Sequence, residues 1–458
     1  MHSYRRTGFA GIAALAVATL AAVGCSSSSS TTSATAPSSS AVASTSAAAP
    51  ATSAAAAPSP SGSTGGLGAQ SVTDYLAYTG GKSGAADSTL PPVTVGFVNQ
   101  QGGPVAIGLH ATDGAEMAVK YINAELGGVD GHPVQLDTCF IASAEEEGTG
   151  CAQKFLANKS VETVAMGGVV IGDQSFYATM GGKLPVFGGV APLPIDGAQK
   201  NTVVLFGDAT SVLGPMGTYG RDVLHAKTAV VLYPNDSTDT PGALADEAGL
   251  KAAGISVKMG PYPPNATDLT GVLASTGAAS ADMIIANVDA GACVNIAKAF
   301  IQQGITDSKK IVSPPLCLNG QVAAGLGGDF PKWTYLIASS LFGDTTDPGM
   351  IEYMKLAQTY STPANAPDPW NIVDFGEMMT IDKILNQVGY ANLSPTAILT
   401  AAKAFKGPQA LGAPALECGY NPAEPGVCNN RSQFFTYAGK NQWVKAAGWL
   451  QPPAGEAP

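Results

Sequence analysis

The segments of this chain that could do chemistry are few, and the first of them resembles a phosphate-binding loop. Residues 80–84 read GGKSG, and such loops use a lysine and a serine after a glycine to hold phosphate oxygens. The motif also requires a glycine five positions before Gly81, where this chain has Leu76, and no strand is predicted ahead of it. The glycine-rich turn of residues 99–108, NQQGGPVAIG, contains no GxGxxG and no lysine or arginine. The sequence therefore disfavours nucleotide binding.

Hydrolytic chemistry has no better support in the sequence. The chain has no GxSxG nucleophile motif. Beyond His2, the histidines are His110, His132 and His225, which are predicted at a helix start and in turns rather than at the ends of core strands. The acidic run 145–147 falls in the first turn of a predicted helix, where the helix dipole favours carboxylates, so we interpret it as a solvated face rather than a metal site. We expect no enzyme activity, no cofactor and no bound metal.

Charge and composition limit the possible partners. The net charge is −11 at pH 7 with a pI of about 4.8, which argues against nucleic acid and anionic membrane surfaces as partners. Apolar residues make up 45% of the 458 residues and charged residues only 12%, so the chain can build a large core and is long enough for two domains.

The amino-terminal segment, MHSYRRTGFAGIAALAVATLAAVGC, has the pattern of an export leader that ends at Cys25. Two arginines precede an apolar stretch from Phe9 to Val23, which is too short and too rich in alanine for a permanent membrane span. The leader resembles a bacterial lipoprotein signal, because Gly24 and Cys25 stand where the lipidated cysteine is expected. We predict that Cys25 is the lipid attachment site; the alternative is an ordinary secretory signal that is cleaved nearby.

Residues 26–90 are predicted to be a disordered tether. Most of this segment consists of serine, threonine, alanine and proline, and the stretch from Ser26 to Gly66 carries neither a charge nor an aromatic ring. Such a composition cannot bury enough apolar surface to become ordered. A flexible coil of about 40 residues spans on the order of 35 Å, so the folded part would lie near a membrane and reorient freely.

Cysteine usage agrees with an exported protein. With Cys25 assigned to lipid, six of the seven cysteines remain, and six cysteines allow fifteen connectivities. No CxxC motif is present, so zinc is a poor alternative. Their grouping along the chain favours three local disulfides: Cys139–Cys151, Cys293–Cys317 and Cys418–Cys428.

From Val93 onward, short apolar runs alternate with helical periodicity. Residues 93–99 read as a buried strand, and residues 110–126 as a helix with alanines on one face. The alternation of apolar runs and helical segments begins again after residue 214. Two runs of β-α units are therefore predicted, each forming a parallel sheet covered by helices. Residues 433–444, QFFTYAGKNQWV, are predicted to form a terminal hairpin.

The segment VTVGFVNQQGGPVAIGLHATDGAEMAVKYINAELGGVDGHPVQLDTC, residues 93–139, resembles the opening of the type I periplasmic binding proteins of the branched-chain amino-acid transport family. The later segments GLKAAGISV (249–257) and FGEMMTIDKIL (375–385) also match elements of that family in the correct order. The resemblance extends to about residue 444. It implies an α/β fold of the periplasmic-binding-protein type I, in which two doubly wound parallel-sheet lobes are joined by a three-strand hinge.

The resemblance also implies where the chain passes between lobes. Crossings are expected near 207–211, near 338–342 and near Cys418. The implied lobes are listed here: 91–208 with 340–417 for the first lobe, and 209–339 with 418–458 for the second.

Ligands of open α/β sheets bind beyond the carboxyl ends of the strands, so residues that follow strands are the candidate contacts. Gln100 and Gln101 follow the first strand. By the resemblance, apolar residues stand after the third and fourth strands where serine or threonine hydroxyls would hold a carboxylate, with Ser175 behind them. The second lobe offers two aspartates and lacks an acid at Leu316; Asp289 has the alternative role of a helix N-cap. The remaining candidates are Val169, Val170, Val190, Ala191 and Asp239.

Together these features predict a lipid-anchored, extracytoplasmic, monomeric solute-binding protein. By the resemblance, it would capture an amino acid, an amide or another small organic molecule and deliver it to the permease of an ABC importer. The alternative is a receptor of the same fold that signals to a partner protein. Contact with the membrane is expected through the lipid anchor only.

The anchor can be tested directly. The Cys25→Ala variant is expected to move from the membrane fraction to the medium or soluble fraction, because lipidation requires the thiol. Fractionation followed by immunoblotting measures the change. A variant that stays membrane-bound and is processed normally would contradict the lipoprotein interpretation.

Overall fold

The computed structural model of the chain describes most of residues 71–454, and every structural statement below concerns these residues. The described ranges are 71–103, 107–191, 193–208, 210–236, 239–288, 290–318, 320–341, 344 and 346–454. The predicted lipidation site Cys25 lies outside them, as does Asp289.

The first half of the described chain forms a five-stranded parallel sheet in the order β2-β1-β3-β4-β5. Its strands are β1 (Val93–Gln100), β2 (Val134–Ile141), β3 (Val161–Met166), β4 (Val186–Gly188) and β5 (Thr202–Val204). The order of strands changes direction at β1, which lies between β2 and β3. This is the doubly wound arrangement that the sequence predicts.

The second sheet has seven strands in the order β12-β11-β10-β9-β8-β6-β7. Its strands are β6 (Thr228–Pro234), β7 (Ser256–Tyr262), β8 (Met283–Ala286), β9 (Ile311–Ser313), β10 (Thr334–Ile337), β11 (Ser432–Gly439) and β12 (Gln442–Leu450). Strands β6 to β10 are parallel, while β11 and β12 add an antiparallel hairpin at one edge. The predicted terminal hairpin and the predicted fold class are both confirmed.

Helices cover both sheets. In chain order they are α1 (Tyr75–Thr79), α2 (Ala111–Glu125), α3 (Glu145–Ala157), α4 (Asp173–Met180), α5 (Pro194–Ala198), α6 (Pro215–Asp222), α7 (Thr240–Ala252), α8 (Thr270–Thr276), α9 (Ala290–Gln302), α10 (Gly320–Gly325), α11 (Pro348–Tyr360), α12 (Pro369–Val388) and α13 (Pro395–Ala404). Among the helices of the described residues, none has the length and apolar character that crossing a bilayer requires.

Each strand of the first sheet buries side chains on both faces. Val95 and Phe97 of β1 pack into a core shared with α2, α11, α12 and α13, whereas Val98 packs into a core with α3 and α4. Successive strand residues point to opposite faces, so an apolar run is what a sheet covered on both sides requires. The second sheet repeats this division: Val230 faces one core and Val231 the other.

Helices α2 and α12 approach each other very closely. A Cβ atom at Gly114 would lie only 2.3 Å from the carbonyl oxygen of Asn371, so only glycine fits at this contact. The close approach places the amino end of α12, with Trp370, beside the loop that follows β3. Helix α12 therefore contributes to the same edge of the first sheet as the strand ends.

Residues 71–90 are folded, which corrects the predicted tether at its carboxyl end. Asp74 caps α1 by accepting a hydrogen bond from the Ala77 N–H at 2.9 Å. Tyr75 is fully buried and meets Tyr121 and Phe375 edge to face, with ring centroids 6.0 and 5.6 Å apart. The tyrosines of this segment provide apolar surface that the serine- and alanine-rich part lacks, and burying them stabilises the packing against α12.

The last crossing between the sheets comes later in the chain than Cys418. Residues 417–428 run beside β5: the Val204 N–H donates to the Gly426 carbonyl at 2.8 Å, and the Cys428 N–H donates to the Val204 carbonyl at 3.0 Å. The chain reaches the second sheet only at β11, so the crossing is at 429–432. Pairing with the edge strand β5 keeps the intervening loop on the first sheet.

Three disulfides are present, and they are the three that the sequence favours. Cys139–Cys151 joins β2 to α3, Cys293–Cys317 joins α9 to the turn after β9, and Cys418–Cys428 closes the loop beside β5. Each joins residues 10 to 24 positions apart, so each connects neighbouring elements of the chain rather than the two sheets.

The packing of the 71–90 segment can be tested at Tyr75. Tyr75→Ala should lower the free energy of unfolding by about 3–5 kcal/mol, because it removes a buried ring and leaves a cavity. The matched control is Tyr75→Phe, which keeps the ring and removes a buried hydroxyl that has no hydrogen-bond partner among the described residues. Its stability should change by less than about 1 kcal/mol. Equal denaturation midpoints for wild type and Tyr75→Ala would show that this segment does not pack as described.

Candidate ligand-binding site

The loops after β1 and β3 are held together by the side chain of Gln100. This residue is fully buried at the end of β1, and its Oε1 accepts hydrogen bonds from the N–H groups of Val170 and Ile171, both at 2.9 Å. The sequence predicts Gln100 as a ligand contact. In the structure its amide oxygen fixes the loop on which Val169 and Val170 lie, and a ligand contact by Gln100 stays a prediction.

Gln101 belongs to a second polar cluster, which links the turn after β1 to α2. Its Oε1 accepts hydrogen bonds from Asn99 Nδ2 at 2.9 Å and from Thr112 Oγ1 at 2.6 Å. Asn99 Nδ2 also donates to the Gly108 carbonyl at 2.8 Å. A Cβ atom at Gly108 would lie 2.5 Å from Asn99 Oδ1, so the glycine lets the turn close over this side chain.

The two valines after β3 differ in exposure. Val169 is fully buried in the core between the first sheet and α3 and α4, whereas Val170 is half-buried at the edge. Ser175, predicted to stand behind them, uses its hydroxyl to donate to the Glu145 and Gly172 carbonyl oxygens. Ser175 thus joins α4 to α3. A ligand contact by Val170 stays a prediction.

The loop after β4 is tied to the first crossing between the sheets. The Ala191 N–H donates to the Gly207 carbonyl at 3.2 Å, and Ala191 is buried. Val190 is half-buried and packs against the core that contains α12. Both residues lie at the carboxyl edge of the first sheet, as expected, but Ala191 is buried in the small cluster with Val204 and Val427.

In the second sheet, Asp239 and Leu316 follow β6 and β9. Asp239 immediately precedes α7, and its N–H donates to Asp236 Oδ1 at 2.9 Å. Leu316 is 51% exposed, in the short turn that the Cys293–Cys317 disulfide holds against α9. The described residues therefore place an acidic group and an exposed apolar group at the carboxyl edge of this sheet.

The N–H groups at the amino end of α4 donate to an acceptor on α3 that the sequence did not reveal. The Glu145 carboxylate accepts hydrogen bonds from the Gly172 N–H at 2.7 Å and from the Ser175 N–H at 2.8 Å. Partial desolvation raises the pKa of Glu145, but the bonds from Ser175 and Gly172 outweigh it, and the net direction is downward. The interpretation of residues 145–147 as a merely solvated face was therefore incomplete, since Glu147 also accepts three backbone N–H groups.

Two further carboxyl groups connect α4 to α5. Asp196 accepts hydrogen bonds from the Tyr177 hydroxyl at 2.9 Å and from the Leu193 N–H at 3.1 Å. Burial, reinforced by the neighbouring Asp196 charge, raises the pKa of Asp173 to about 9, while burial raises the pKa of Asp196 to about 6. The raised pKa favours the protonated form of Asp173 at neutral pH, and a protonated Asp173 can donate a hydrogen bond to the Asp196 carboxylate across the two helices.

A third carboxyl pair, Asp208 and Glu424, joins the first crossing to the loop beside β5. Asp208 Oδ1 accepts hydrogen bonds from the N–H of Ser211 at 2.6 Å and from both the N–H and the hydroxyl of Thr210. Its other carboxyl oxygen, Oδ2, is buried and accepts no hydrogen bond from the N–H and O–H groups of the described residues. Glu424 lies against it, and burial together with the Asp208 charge raises the pKa of Glu424 to about 7. A protonated Glu424 supplies the donor that Asp208 Oδ2 needs.

Trp370 is a candidate contact that sequence reasoning missed. A Cβ atom at Gly168 would lie 2.9 Å from Trp370 Cη2, so the indole covers the start of the loop after β3. Trp370 is half-buried and follows the N-cap Asp368 of α12. Gly168 and Trp370 are far apart along the chain, and only the packing of α12 on α2 brings them together.

Within the described part of the chain, no group of three histidine, cysteine or carboxylate side chains is arranged to hold a metal ion. The polar groups at this edge fix loops, and glycine-rich turns and half-buried apolar side chains lie beside them.

A family model described as periplasmic binding protein matches residues 92–423. The chain belongs to this family, whose members are extracytoplasmic binding proteins rather than enzymes. The resemblance drawn from the sequence and the prediction that the chain is not an enzyme are thereby confirmed. Comparison with curated protein sequences returned no match.

Solved structures agree on the fold. The leucine-binding protein LivK of Thermotoga maritima MSB8 has a TM-score of 0.59 at 14% identity, covering 79% of this chain and 99% of its own. An ABC transporter substrate-binding protein from Sphaerobacter thermophilus has a TM-score of 0.63 at 13% identity, covering 79% and 98%. A solute-binding protein from R. palustris in complex with benzoate has a TM-score of 0.58 at 14% identity, also covering 79% and 98%. At these identities the likeness concerns the fold alone.

The Asp208–Glu424 pair predicts a pH dependence of stability. The pKa of Glu424 rises from about 4.5 to about 7 on folding, so the folded chain holds an extra proton between these values. Stability should therefore fall as pH rises through this window and level off above it. Glu424→Gln keeps a hydrogen-bond donor for Asp208 without titrating, so the decrease in Tm between about pH 5 and about pH 8 should be smaller than in wild type.

The control for this prediction is Glu417→Gln, which removes an exposed charge from the same loop. Its Tm should follow the wild-type pH dependence. Other buried acids, such as Asp196, remain in both variants, so the slope should be reduced rather than abolished. Identical slopes for wild type and Glu424→Gln would contradict the assignment.

Proposed function

We propose that this chain is a lipid-anchored solute-binding protein that captures a small ligand between two lobes and delivers it to the permease of an ABC importer. The observation that carries the proposal is the pair of α/β sheets whose strands end in glycine-rich loops and between which the chain crosses three times. In such folds, ligands bind beyond the carboxyl ends of the strands. The leader that ends at Cys25 supports export and anchoring.

The proposed lobes follow the two sheets. The first comprises the five-stranded sheet, α11 to α13, the packed 71–90 segment and the loop closed by Cys418–Cys428. The second comprises the seven-stranded sheet and its helices. Closure would bend the crossings at 205–214, 338–347 and 429–432, which are hinges of the kind that absorb dihedral changes in a few loop residues. We propose that the protein works as a monomer, with the cleft between these lobes as its single ligand site.

The proposed ligand site takes its first-lobe contacts from the edge that carries Val170, Val190 and Trp370. Its second-lobe contacts come from the loops of Asp239 and Leu316, and from Asp289, which lies outside the described residues. Solved proteins of the same fold are described as binding leucine, benzoate or fatty acids. This range of ligands supports a small organic molecule with substantial apolar surface as the ligand here.

A thermal-shift screen tests the proposal. Amino acids, amides, aromatic acids, amines and short polyols are each added to the purified protein. A true ligand at 100 times its Kd should stabilise the folded state by about 2.7 kcal/mol, which raises Tm. Stabilisation by none of these classes, or chemical turnover of a bound compound, would contradict a solute-binding role.

The transport role is tested separately, in cells. Deleting the chain should abolish uptake of the ligand found in the screen, and restoring the wild-type gene should restore it. If uptake continues and only a cellular response to the ligand is lost, the protein is a receptor of the same fold instead.

A further inference from the structure

The loop between β3 and α4 shows which chemical groups the proposed site can hold. Successive N–H groups at the start of a helix form a favourable place for a carboxylate, because the helix dipole adds to the hydrogen bonds. In this chain, the protein's own side-chain oxygens already accept hydrogen bonds from these N–H groups. Gln100 Oε1 takes the N–H groups of Val170 and Ile171, and the Glu145 carboxylate takes those of Gly172 and Ser175.

N–H groups of the loop after β4 are likewise bonded to oxygens of the protein. The Ala191 N–H is bonded to the Gly207 carbonyl, and the Leu193 N–H is bonded to Asp196 Oδ2. Residue 192 is a proline and has no N–H to offer. Six N–H groups of these two loops and of the helix starts that follow them are thus bonded to the protein's own oxygens.

The segments that follow the parallel strands also offer no lysine or arginine side chain that could bind a carboxylate in place of these N–H groups. In the first sheet these segments are residues 100–110, 167–172, 189–194 and 205–214, and in the second half of the chain they are residues 234–239, 287–290, 314–320 and 338–347. Glu145 adds a fixed negative charge beside the loop after β3. A ligand carboxylate at this edge would be desolvated without a partner, which is costly.

Several of the side chains that remain at the edge of the first sheet are apolar, although the half-buried Gln101 also lies there. Ile107, Val170, Val190 and Trp370 are all half-buried there, and Leu109 is exposed. We infer that the ligand of the proposed site is a mainly apolar small molecule without a carboxylate, and that Gln100 and Glu145 are the residues that exclude one. The inference rests on the proposed solute-binding function and specifies its ligand class.

Calorimetry with matched ligands tests the inference on the full chain. Each set shares one apolar skeleton and differs only in its polar group: 4-methylpentanamide, isoamylamine and 4-methylpentanoate form one set, and phenylacetamide, benzylamine and phenylacetate form the other. The amide or the amine should bind at least about tenfold more tightly than the carboxylate of the same skeleton, equivalent to about 1.4 kcal/mol. The amide and amine arms separate a neutral ligand from a cationic one.

The Glu145→Gln variant then tests the source of the discrimination. Glu145 is exposed and its charge is partly screened, so removing the charge should improve carboxylate binding about three- to fivefold. The matched control is Glu146→Gln, which removes the same charge from the next side chain, an exposed one to which no N–H of the described loop after β3 donates. Its carboxylate affinity should stay within about twofold of wild type, because the hydrogen bonds from Gly172 and Ser175 hold the Glu145 carboxylate, and not this one, beside the loop.

A second readout does not depend on finding the natural ligand. The backbone amide NMR signals of Val170, Ile171, Gly172 and Ser175 should stay unchanged when excess sodium acetate is added, since their N–H groups are already bonded. Movement of these signals, or a carboxylate that binds as tightly as its amide, would overturn the inference and leave the solute-binding function standing. If the amide signals stay still but no compound of any class binds, the proposed function fails, and the ligand class inferred from it fails with it.

Discussion

The backbone N–H groups at the carboxyl edge of the first sheet have to find acceptors, and the chain supplies those acceptors itself. A parallel sheet covered by helices leaves its loops at this edge partly shielded from water, where an unpaired N–H costs on the order of 1–3 kcal/mol. Gln100, Glu145, Asp196 and Asp208 each place an oxygen against N–H groups of a different loop or helix start. The loops therefore have a defined shape without any bound molecule. A site formed in advance loses less conformational entropy when a ligand arrives.

The same edge concentrates carboxyl groups that cannot all be ionised. Asp173 pairs with Asp196, Asp208 pairs with Glu424, and burial raises the pKa of Asp374 and Glu377 in α12 well above their usual range. Protonated carboxyls act as hydrogen-bond donors, so in a chain with few cations they can replace salt bridges. The folded protein consequently holds more protons than the unfolded chain at neutral pH, and mildly acidic conditions favour the fold.

The architecture was readable from the sequence because it depends on local patterns. Apolar runs at β1 and β6, helical periodicity between them and closely spaced cysteine pairs each predict structure within a single β-α unit. The tether prediction failed at residues 71–79, where the side chains of Val72, Tyr75 and Tyr78 are buried in the core of the first sheet. The last crossing was placed too early because residues 417–428 pair with β5, a strand that lies far earlier in the sequence.

The site was harder to predict because its roles depend on contacts that the sequence does not reveal. Gln100 lies where a ligand contact is expected, yet its amide oxygen is directed at the N–H groups of Val170 and Ile171, in a different β-α unit. Trp370 reaches the same edge only through the close packing of α12 on α2. If the ligand binds at this edge as proposed, apolar contact would supply most of its affinity: burying about 200 Å² of ligand and protein surface contributes about 5 kcal/mol. In the proposed site, the remaining selectivity would come from the second lobe, where Asp239 and Leu316 offer an acid and an exposed apolar surface.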